Sequence, residues 1–247
     1  MAKQNSAVGA DTDFLIHPRK GRRESTLPPE CLLLPNPADA KLAHQYLAGC
    51  GGQKGSLYHS QLTYTQGGKI TVAGPSLGAA AAGLVLEKLI VRGVSECIVL
   101  SCCGSFDPGL FIGDILVPHA AVSGEGVTQY YASQDQLDVD QLLRKKIQQR
   151  LQAHKIDYQT GVIWSTDAPY RERRSVLNQL HANRGVCGVD MEFSALCAIA
   201  ACRGVRLAGV FVVSDELWAE KWKPGFSDHR FRERSQHLFK TLISEPE

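Results

Sequence analysis

The chain lacks the features that mark several large classes of protein. No apolar stretch approaches the roughly 20 residues of a membrane span, and no two cysteines have the C-x-x-C spacing of zinc ribbons and redox motifs. The formal net charge is only +2 at pH 7, without the basic stripe of a nucleic-acid binder. We therefore expect neither membrane nor nucleic-acid partners, and we expect no metal site.

The first residues also lack the apolar centre of a secretory signal peptide. Met1 to Asp13 contain one lysine and no apolar run. Most of the eight cysteines lie in apolar stretches, where a free thiol behaves as a small buried hydrophobe. We therefore expect a cytoplasmic protein with unpaired thiols in a reducing compartment.

What the chain does have is enough apolar material for a sizeable core, since 44% of its 247 residues are hydrophobic. Residues 1–28 are polar and basic and include Arg19, Arg22 and Arg23, so we predict an N-terminal basic arm. We find no internal repeat and no linker that would split the remainder. Residues 29–247 are therefore predicted to form one domain.

Apolar runs typical of buried strands alternate with helical segments throughout that domain. The patterns predict strands over residues 31–35, 69–74, 96–101, 114–123, 160–165, 186–191 and 207–213, and helices over 37–47, 75–92, 138–154, 171–182, 192–202 and 228–242. This alternation predicts an α/β fold: a single three-layer α/β/α domain with a central, mostly parallel mixed sheet. Pro75 and Ser76 are expected to open a helix, and Ser101 to Ser105 to form a loop of small residues.

Two acidic motifs stand at the carboxyl ends of predicted strands. Gly188-Val189-Asp190-Met191-Glu192 passes from a strand into a helix, and Val213-Ser214-Asp215 ends a very apolar strand. In an open α/β sheet both positions face the same crevice, where ligands bind. One carboxylate can hold hydroxyls and steady positive charge on a sugar, while the other protonates a leaving group. The pair therefore predicts cleavage of a bond between a sugar and a base.

From Asp13 to the C-terminus the chain resembles the nucleoside phosphorylase superfamily of uridine phosphorylases, hexameric-type purine nucleoside phosphorylases and methylthioadenosine nucleosidases. The resemblance is carried by the motifs Gly74-Pro75-Ser76, Gly104 followed by Gly113-Asp114, Ser165-Thr166-Asp167, Val189-Asp190-Met191-Glu192 and Ser214-Asp215. The spacing between the Met-Glu helix start and the Ser-Asp pair is its most specific part.

The resemblance implies roles for individual residues. It implies that Met191 and Glu192 bind the ribose, that Asp215 stabilises a departing purine-type base as the catalytic acid, and that Tyr170 and Asp167 lie at the base. His17 resembles the histidine that reaches the ribose in a neighbouring subunit, which implies a homo-oligomer, either a dimer or a trimer of dimers. Phosphate is expected near Ser76, Cys102, Cys103 and Gly104. No cofactor is implied, and inorganic phosphate is the expected co-substrate.

Departures from the family pattern leave the acceptor open. The three arginines that hold phosphate in phosphorolytic members are absent from Pro35 to Asp39, from the position of Val99 and from Ser56 to His59. The glutamate that activates water in hydrolytic members is also absent from Cys31 to Leu42. Three functions therefore remain: a nucleoside phosphorylase by family default, a nucleosidase that uses water, and a nucleoside-binding protein without catalysis.

Overall fold

The computed structural model describes residues 13–65 and 70–243. The first twelve residues of the predicted arm lie outside the described residues. The remainder of the arm runs without regular secondary structure until it reaches the domain. Lys88 Nζ donates to the Arg19 carbonyl at 2.5 Å, and the Leu27 N–H donates to the Arg92 carbonyl at 2.7 Å. Residues 19–27 therefore pack beside the carboxyl end of one helix, and the division at residue 28 stays a prediction.

The described residues form one mixed sheet and the helices that cover it. The strands are β1 (Glu30–Leu33), β2 (Gln53–Leu57), β3 (Ser60–Tyr64), β4 (Ile70–Gly74), β5 (Glu96–Ser105), β6 (Ile115–Leu116), β7 (Ala120–Gly124), β8 (Gln136–Asp138), β9 (Val162–Thr166), β10 (Val186–Asp190), β11 (Arg206–Glu216) and β12 (Lys223–Pro224). The helices are α1 (Pro37–Gly49), α2 (Ala79–Val91), α3 (Gln141–Ala153), α4 (Arg174–Arg184), α5 (Phe193–Arg203) and α6 (His229–Ile243).

The sheet is mostly parallel at its centre. Its order is β2-β3-β4-β1-β5-β10-β9-β7-β8, and β11 pairs with β5 from the other side. β4, β1, β5 and β11 run parallel, as do β10, β9 and β7, whereas β10 meets the end of β5 in an antiparallel pair. Helix α2 packs on α5, and α1 and α3 pack on α6. The predicted α/β architecture is confirmed.

The loop between β4 and α2 differs from the sequence-based prediction. Helix α2 begins at Ala79 rather than at Pro75 and Ser76. Gly74 and Gly78 have positive φ values of 144° and 89°, which no helical residue adopts. A Cβ at Gly74 would meet the Leu34 carbonyl oxygen at 2.1 Å, so only glycine fits there. Pro75 and Ser76 therefore lie in a turn ahead of the helix.

The predicted loop of small residues is also wrong. Ser101 to Ser105 continue strand β5, because β11 pairs with them over its whole length and β10 pairs with the last two. Small residues suit such a position, since β5 is enclosed by strands on both sides there. The hairpin of β2 and β3 escaped the sequence analysis because its strands are polar and contain glycine.

Candidate active site

The sheet register brings the two acidic motifs to the same edge. Gly104, near the end of β5, pairs with Val189 of β10 on one side and with Asp215 of β11 on the other. Adjacent strands lie about 4.8 Å apart, so Val189 and Asp215 are separated by roughly 10 Å. Glu192 follows Val189 by three residues and begins the turn into α5. The register therefore places the two acidic motifs at the ends of the strands that flank β5, and a shared cavity between Glu192 and Asp215 stays a prediction.

Glu192 is almost fully enclosed, with 2% of its surface exposed. The Gly78 N–H donates to its Oε1 at 2.6 Å, which joins the loop before α2 to the start of α5. Burial, followed by the neighbouring charge of Asp190, raises the pKa of Glu192 to about 8. Backbone hydrogen bonds from Gly78 and Met191 oppose this shift, and the carboxyl oxygens retain acceptor capacity for further donors such as sugar hydroxyls.

Asp190 caps helix α5 and so fixes the direction in which Glu192 leaves the sheet. Its Oδ2 accepts hydrogen bonds from the backbone N–H groups of Phe193 at 2.8 Å and Glu192 at 3.2 Å. Its Oδ1 accepts from Ser165 Oγ at 2.5 Å, and the same hydroxyl accepts from the Ser194 N–H at 2.9 Å. Burial raises the pKa of Asp190 to about 6.

A third buried carboxylate, Glu125, accepts hydrogen bonds that hold the amino end of α5 in place. It accepts hydrogen bonds from Ser194 Oγ at 2.8 Å, from Ser123 Oγ at 2.9 Å and from the Val127 N–H at 2.6 Å. Thr128 donates to it through both its hydroxyl and its N–H. Burial opposes ionisation, but these donors together hold the pKa of Glu125 below its usual value. The network ties the amino end of α5 to the loop after β7.

Asp215 lies on the other side of β5, with 9% of its surface exposed. Its Oδ1 lies 2.6 Å from Ser214 Oγ, and its Oδ2 accepts from Trp222 Nε1 at 2.8 Å. Trp222 comes from the hairpin in which β12 turns back onto Asp215 and Glu216. A Cβ at Gly104 would approach Asp215 Oδ2 to 3.0 Å. Gly104 therefore lies beside the predicted base position, although it was predicted to bind phosphate.

Glu172 is a further carboxyl on this side. It follows a short 3-10 turn, Pro169–Arg171, that comes after the end of β9. The side chain is half-buried. Burial, followed by the negative charge of Asp215, raises the pKa of Glu172 to about 7. The two carboxyls therefore share one electrostatic environment.

The predicted phosphate position contains the thiols of Cys102 and Cys103. Cys102 Sγ lies 3.7 Å from Asn36 Nδ2, and burial raises the pKa of this thiol to about 12. Burial also raises the pKa of Cys103 well above its usual value. Both residues are therefore neutral thiols near pH 7, which argues against a cysteine nucleophile. Ser76 is completely buried, and its Oγ has no hydrogen-bond partner among the described residues.

Asp39 is the one acidic side chain in the first turn of α1. Its backbone N–H donates to Asn36 Oδ1, and its charge acts on Cys102, which places it near the same strand ends. Burial raises the pKa of Asp39 to about 6. Asp39 also lines a groove of about 380 Å³ between α1 and α6, which gives it access to solvent.

Several predicted contacts stay predictions. Met191 and His17 are half-buried. Tyr170 is 98% exposed, so its ring is free to meet a ligand or a second subunit. Asp167 Oδ2 accepts from the Gly126 N–H at 2.9 Å, which fixes the loop after β9. Within the described ranges, no group of three or more His, Cys, Asp or Glu is arranged to hold a metal.

The arginines near the C-terminus bind groups outside the predicted phosphate position. Arg230 forms an ion pair with Asp114 at 2.5 Å, and Arg232 donates to the Phe226 carbonyl at 3.3 Å. Arg19 lies near Lys88, about 15 Å along α2 from Gly78 at the rise of 1.5 Å per residue. Arg19 therefore does not lie at the site of its own chain.

Sequence reasoning missed the residues that support the two motifs. Glu125, Glu172 and Trp222 are far in sequence from either motif, and no spacing pattern marks them. Asn36 carried a detectable signal, because it directly precedes α1 and is a residue type that caps helices.

Comparison with known proteins gives a consistent assignment. A DeoD-type purine nucleoside phosphorylase of Clostridium novyi is 26% identical over 203 residues, which cover 80% of this chain and 86% of that protein. The crystal structure of the purine nucleoside phosphorylase from Toxoplasma gondii, in complex with immucillin-H, matches with a TM-score of 0.75 at 19% identity and covers 88% of this chain and 89% of that one. The AMP nucleosidase from Bacteroides thetaiotaomicron matches with a TM-score of 0.69 at 19% identity, over 87% and 89% of the two chains.

The family model described as the Phosphorylase superfamily matches residues 31–244, which is most of the chain. The fold of the solved structures agrees with this match, and the family resemblance found in the sequence is confirmed. The chain belongs to the Phosphorylase superfamily.

Proposed function

We propose that the protein cleaves the N-glycosidic bond of a purine-type nucleoside and transfers the pentosyl group, with phosphate as the acceptor by family default. Membership of the Phosphorylase superfamily and similarity to purine nucleoside phosphorylases support this enzyme class. The observation that carries the proposal is the register of β10, β5 and β11, which sets Val189, three residues before Glu192, and Asp215 on either side of Gly104.

In the proposed complex the ribose lies at Glu192 and the base lies toward Asp215. The 2′- and 3′-hydroxyls donate to Glu192 and stabilise its carboxylate form against the burial that raises its pKa to about 8, while Gly78 continues to donate to its Oε1. As the bond to the base breaks, the sugar gains oxocarbenium character, which nearby negative charge stabilises. The base leaves with an electron pair and needs a proton or a hydrogen bond at its imidazole ring.

Phosphate would enter near Cys102 and Ser76. The buried Ser76 hydroxyl, which has no partner among the described residues, is a donor suited to a phosphate oxygen. Without the family's arginines, phosphate would be held less tightly than by bidentate guanidinium groups. We therefore expect a high KM for phosphate.

Asp39 favours a second candidate, a nucleosidase that uses water. A carboxylate repels phosphate but accepts a proton from a water molecule that attacks the sugar. Asp39 occupies the first turn of α1, where the family resemblance leads one to expect a phosphate arginine. Its pKa of about 6 leaves it mostly ionised at neutral pH, as a general base requires.

We further propose that the active unit is a homo-oligomer in which His17 contacts a neighbouring site. Three apolar side chains directly before His17 support this: Phe14, Leu15 and Ile16 are 54%, 99% and 90% exposed. A second copy of the chain would cover them. Sedimentation of the wild-type protein and of Leu15→Ser with Ile16→Ser tests this, because a dimer should dissociate in the variant.

The cytoplasmic location also stays a proposal, which cell fractionation tests. No helix in the described part of the chain is long and apolar enough to cross a bilayer.

A nucleoside panel followed by product analysis tests the function. Adenosine, guanosine, inosine and uridine are incubated with the protein, with and without phosphate. Pentose 1-phosphate and free purine formed only with phosphate would establish a phosphorylase. Free pentose in both buffers would establish a nucleosidase. Binding without turnover in either buffer would contradict both and leave a nucleoside-binding protein.

A further inference from the structure

A second cavity, of about 300 Å³, lies between α1 and the hairpin of β2 and β3. Its volume is at the lower end of the range of small-molecule sites, which leaves room for a small ion and its bound water. No carboxylate of the described residues lines it. Its polar lining consists of two lysines, a histidine and two glutamines: Lys41, Lys54, His44, Gln45 and Gln61.

The two lysines reach this cavity from different elements. Lys54 on β2 pairs with Thr63 on β3, so both side chains lie on one face of the hairpin, together with Gln61 two residues before Thr63. Helix α1 covers that face, because His44 Nδ1 lies 2.9 Å from Thr63 Oγ1. Lys41 precedes His44 by three residues, which places it on the same side of α1.

His44 joins the cavity to the turn after β4. Burial lowers its pKa, the bond to Gly74 opposes this shift, and the charge of Lys54 lowers the pKa further, so the imidazole is neutral near pH 7. Its Nε2 lies 3.0 Å from the Gly74 carbonyl oxygen, which can only accept, so Nε2 carries the hydrogen and Nδ1 accepts from the Thr63 hydroxyl. Both ring nitrogens are therefore occupied, and the lysines supply the positive charge of the cavity.

Neither lysine is neutralised by a carboxylate. Lys41 and Lys54 make no ion pair or hydrogen bond with any residue in the described part of the chain, whereas Lys146 and Lys223 each pair with a glutamate. Asp39, the acidic residue closest in sequence to Lys41, lines the groove toward α6 instead. Two unpaired cations around a cavity without a carboxylate favour an anionic ligand.

The cavity adjoins the predicted phosphate position. Two prolines also line it, and each is the direct sequence neighbour of a residue on the acceptor side: Pro37 follows Asn36, and Pro75 precedes Ser76. Asn36 Nδ2 lies 3.7 Å from Cys102 Sγ. An anion in the cavity is therefore next to the segments that carry the predicted acceptor residues.

We propose that Lys41 and Lys54 bind inorganic phosphate in this cavity and so supply the co-substrate that the missing arginines would otherwise hold. This inference rests on the proposed function. An ammonium group binds phosphate as a point charge, without the fixed geometry of a guanidinium group. Both lysines are exposed, so water screens their charge and phosphate is bound weakly. Weak binding agrees with the high KM for phosphate expected above.

Calorimetric titration with inorganic phosphate at constant ionic strength tests the site without any turnover. The double variant Lys41→Met with Lys54→Met should weaken phosphate binding by roughly tenfold or more, because two charged partners are lost. Lys54→Arg keeps the charge and should bind phosphate nearly as well as the wild type. Lys145→Met is the matched control, because Lys145 is an exposed lysine on α3, and it should bind phosphate like the wild type.

The phosphate dependence of nucleoside cleavage gives a second readout. The double variant should raise the KM for phosphate by roughly tenfold, whereas kcat at saturating phosphate and the KM for the nucleoside should stay close to those of the wild type.

The inference would be overturned if the wild type bound no phosphate, if the double variant bound phosphate as the wild type does, or if its KM for phosphate were unchanged. Equal weakening by Lys145→Met would also overturn it, because binding would then follow overall charge. Phosphate binding that depends on the two lysines, without cleavage of any nucleoside by the wild type, would instead overturn the proposed function and leave the anion site.

Discussion

The proposed sugar side and the proposed acceptor side of the site are built in different ways. On the sugar side, Asp190 caps the helix that follows Glu192, and shared hydrogen bonds continue from Asp190 to Glu125. The acceptor side contains the neutral thiol of Cys102, the half-buried carboxyl of Asp39 and a serine hydroxyl without a described partner.

The polar groups of the proposed sugar side are held in place by a hydrogen-bond network, whereas the chemistry of the proposed acceptor side depends on single residues. Each polar group of the sugar side satisfies another, so removing one leaves a buried group without its partner. The acceptor side has no comparable network, and its chemistry depends on individual side chains. We therefore expect the sugar side to be sensitive to every substitution and the acceptor side to change selectivity without loss of stability.

The largest effect is expected for Glu192→Gln. The amide still accepts from the Gly78 N–H but no longer provides a charged acceptor for two hydroxyls. A charged hydrogen bond contributes about 1.5–3 kcal/mol, so kcat/KM should fall by roughly 10²-fold for a ribonucleoside. Steady-state kinetics with Glu233→Gln, an exposed carboxylate on α6, as the control would check this. Equal activity of Glu192→Gln and the wild type would contradict the expected sensitivity of the sugar side to substitution.

Asp39→Asn should alter the acceptor side alone. If Asp39 activates water, hydrolysis falls by about 10²-fold or more, while phosphorolysis is unchanged or improves because a negative charge is gone. Product ratios at several phosphate concentrations measure this. Asp157→Asn, at an exposed position away from the cleft, is the control. An unchanged ratio of sugar to sugar phosphate would remove Asp39 from the acceptor chemistry.

Two buried serines allow a direct comparison of the sides. Ser194→Ala removes the donor to Glu125 and should lower the free energy of unfolding by about 1–3 kcal/mol. Ser76→Ala removes a hydroxyl with no described partner and should leave stability nearly unchanged while raising the KM for phosphate. Urea unfolding together with phosphate titration measures both. Equal destabilisation by the two substitutions would contradict the difference between the sides.

The smallest effect is a dependence of stability on pH. Burial raises the pKa of Glu192 from 4.5 to about 8 and that of Asp190 from 3.8 to about 6 in the folded protein. Between these limits the folded state binds more protons than the unfolded state, so the free energy of unfolding falls as pH rises. Thermal unfolding at pH 6 and pH 8.5 should give the lower Tm at pH 8.5. Glu192→Gln should reduce the difference, and an opposite slope would contradict the burial of these carboxyls.

The sequence was sufficient for the alternation of the main parallel strands with helices and for locating the two acidic motifs, because hydrophobic runs are local signals. It was insufficient where pairing between distant segments decides the structure. Small residues at Ser101 to Ser105 resemble a loop, yet they form a strand because β11 and β10 enclose them. The start of α2 was misplaced because the backbone conformation of Gly78 follows from its contact with Glu192.

Contacts between distant segments also determine which residues surround the site, and the sequence did not reveal them. Arg174 ties the segment after β9 to the hairpin loop, and Trp222 reaches Asp215 because β12 folds back on β11. Neither contact leaves a pattern in the sequence. Asp39 was visible as the residue in place of an arginine, but its partial burial, which gives it chemical interest, follows only from the packing of α1.

The most direct test of the account is calorimetric binding of two uncleavable purine nucleoside analogues that differ only in the 2′- and 3′-hydroxyls. The wild type, Glu192→Gln and Asp215→Ala are titrated with both. Glu192→Gln should weaken binding of the hydroxylated analogue by roughly tenfold or more and leave the other unchanged, whereas Asp215→Ala should weaken both alike. If Glu192→Gln affects both analogues equally, or neither, then Glu192 does not hold the sugar and the proposed site is wrong.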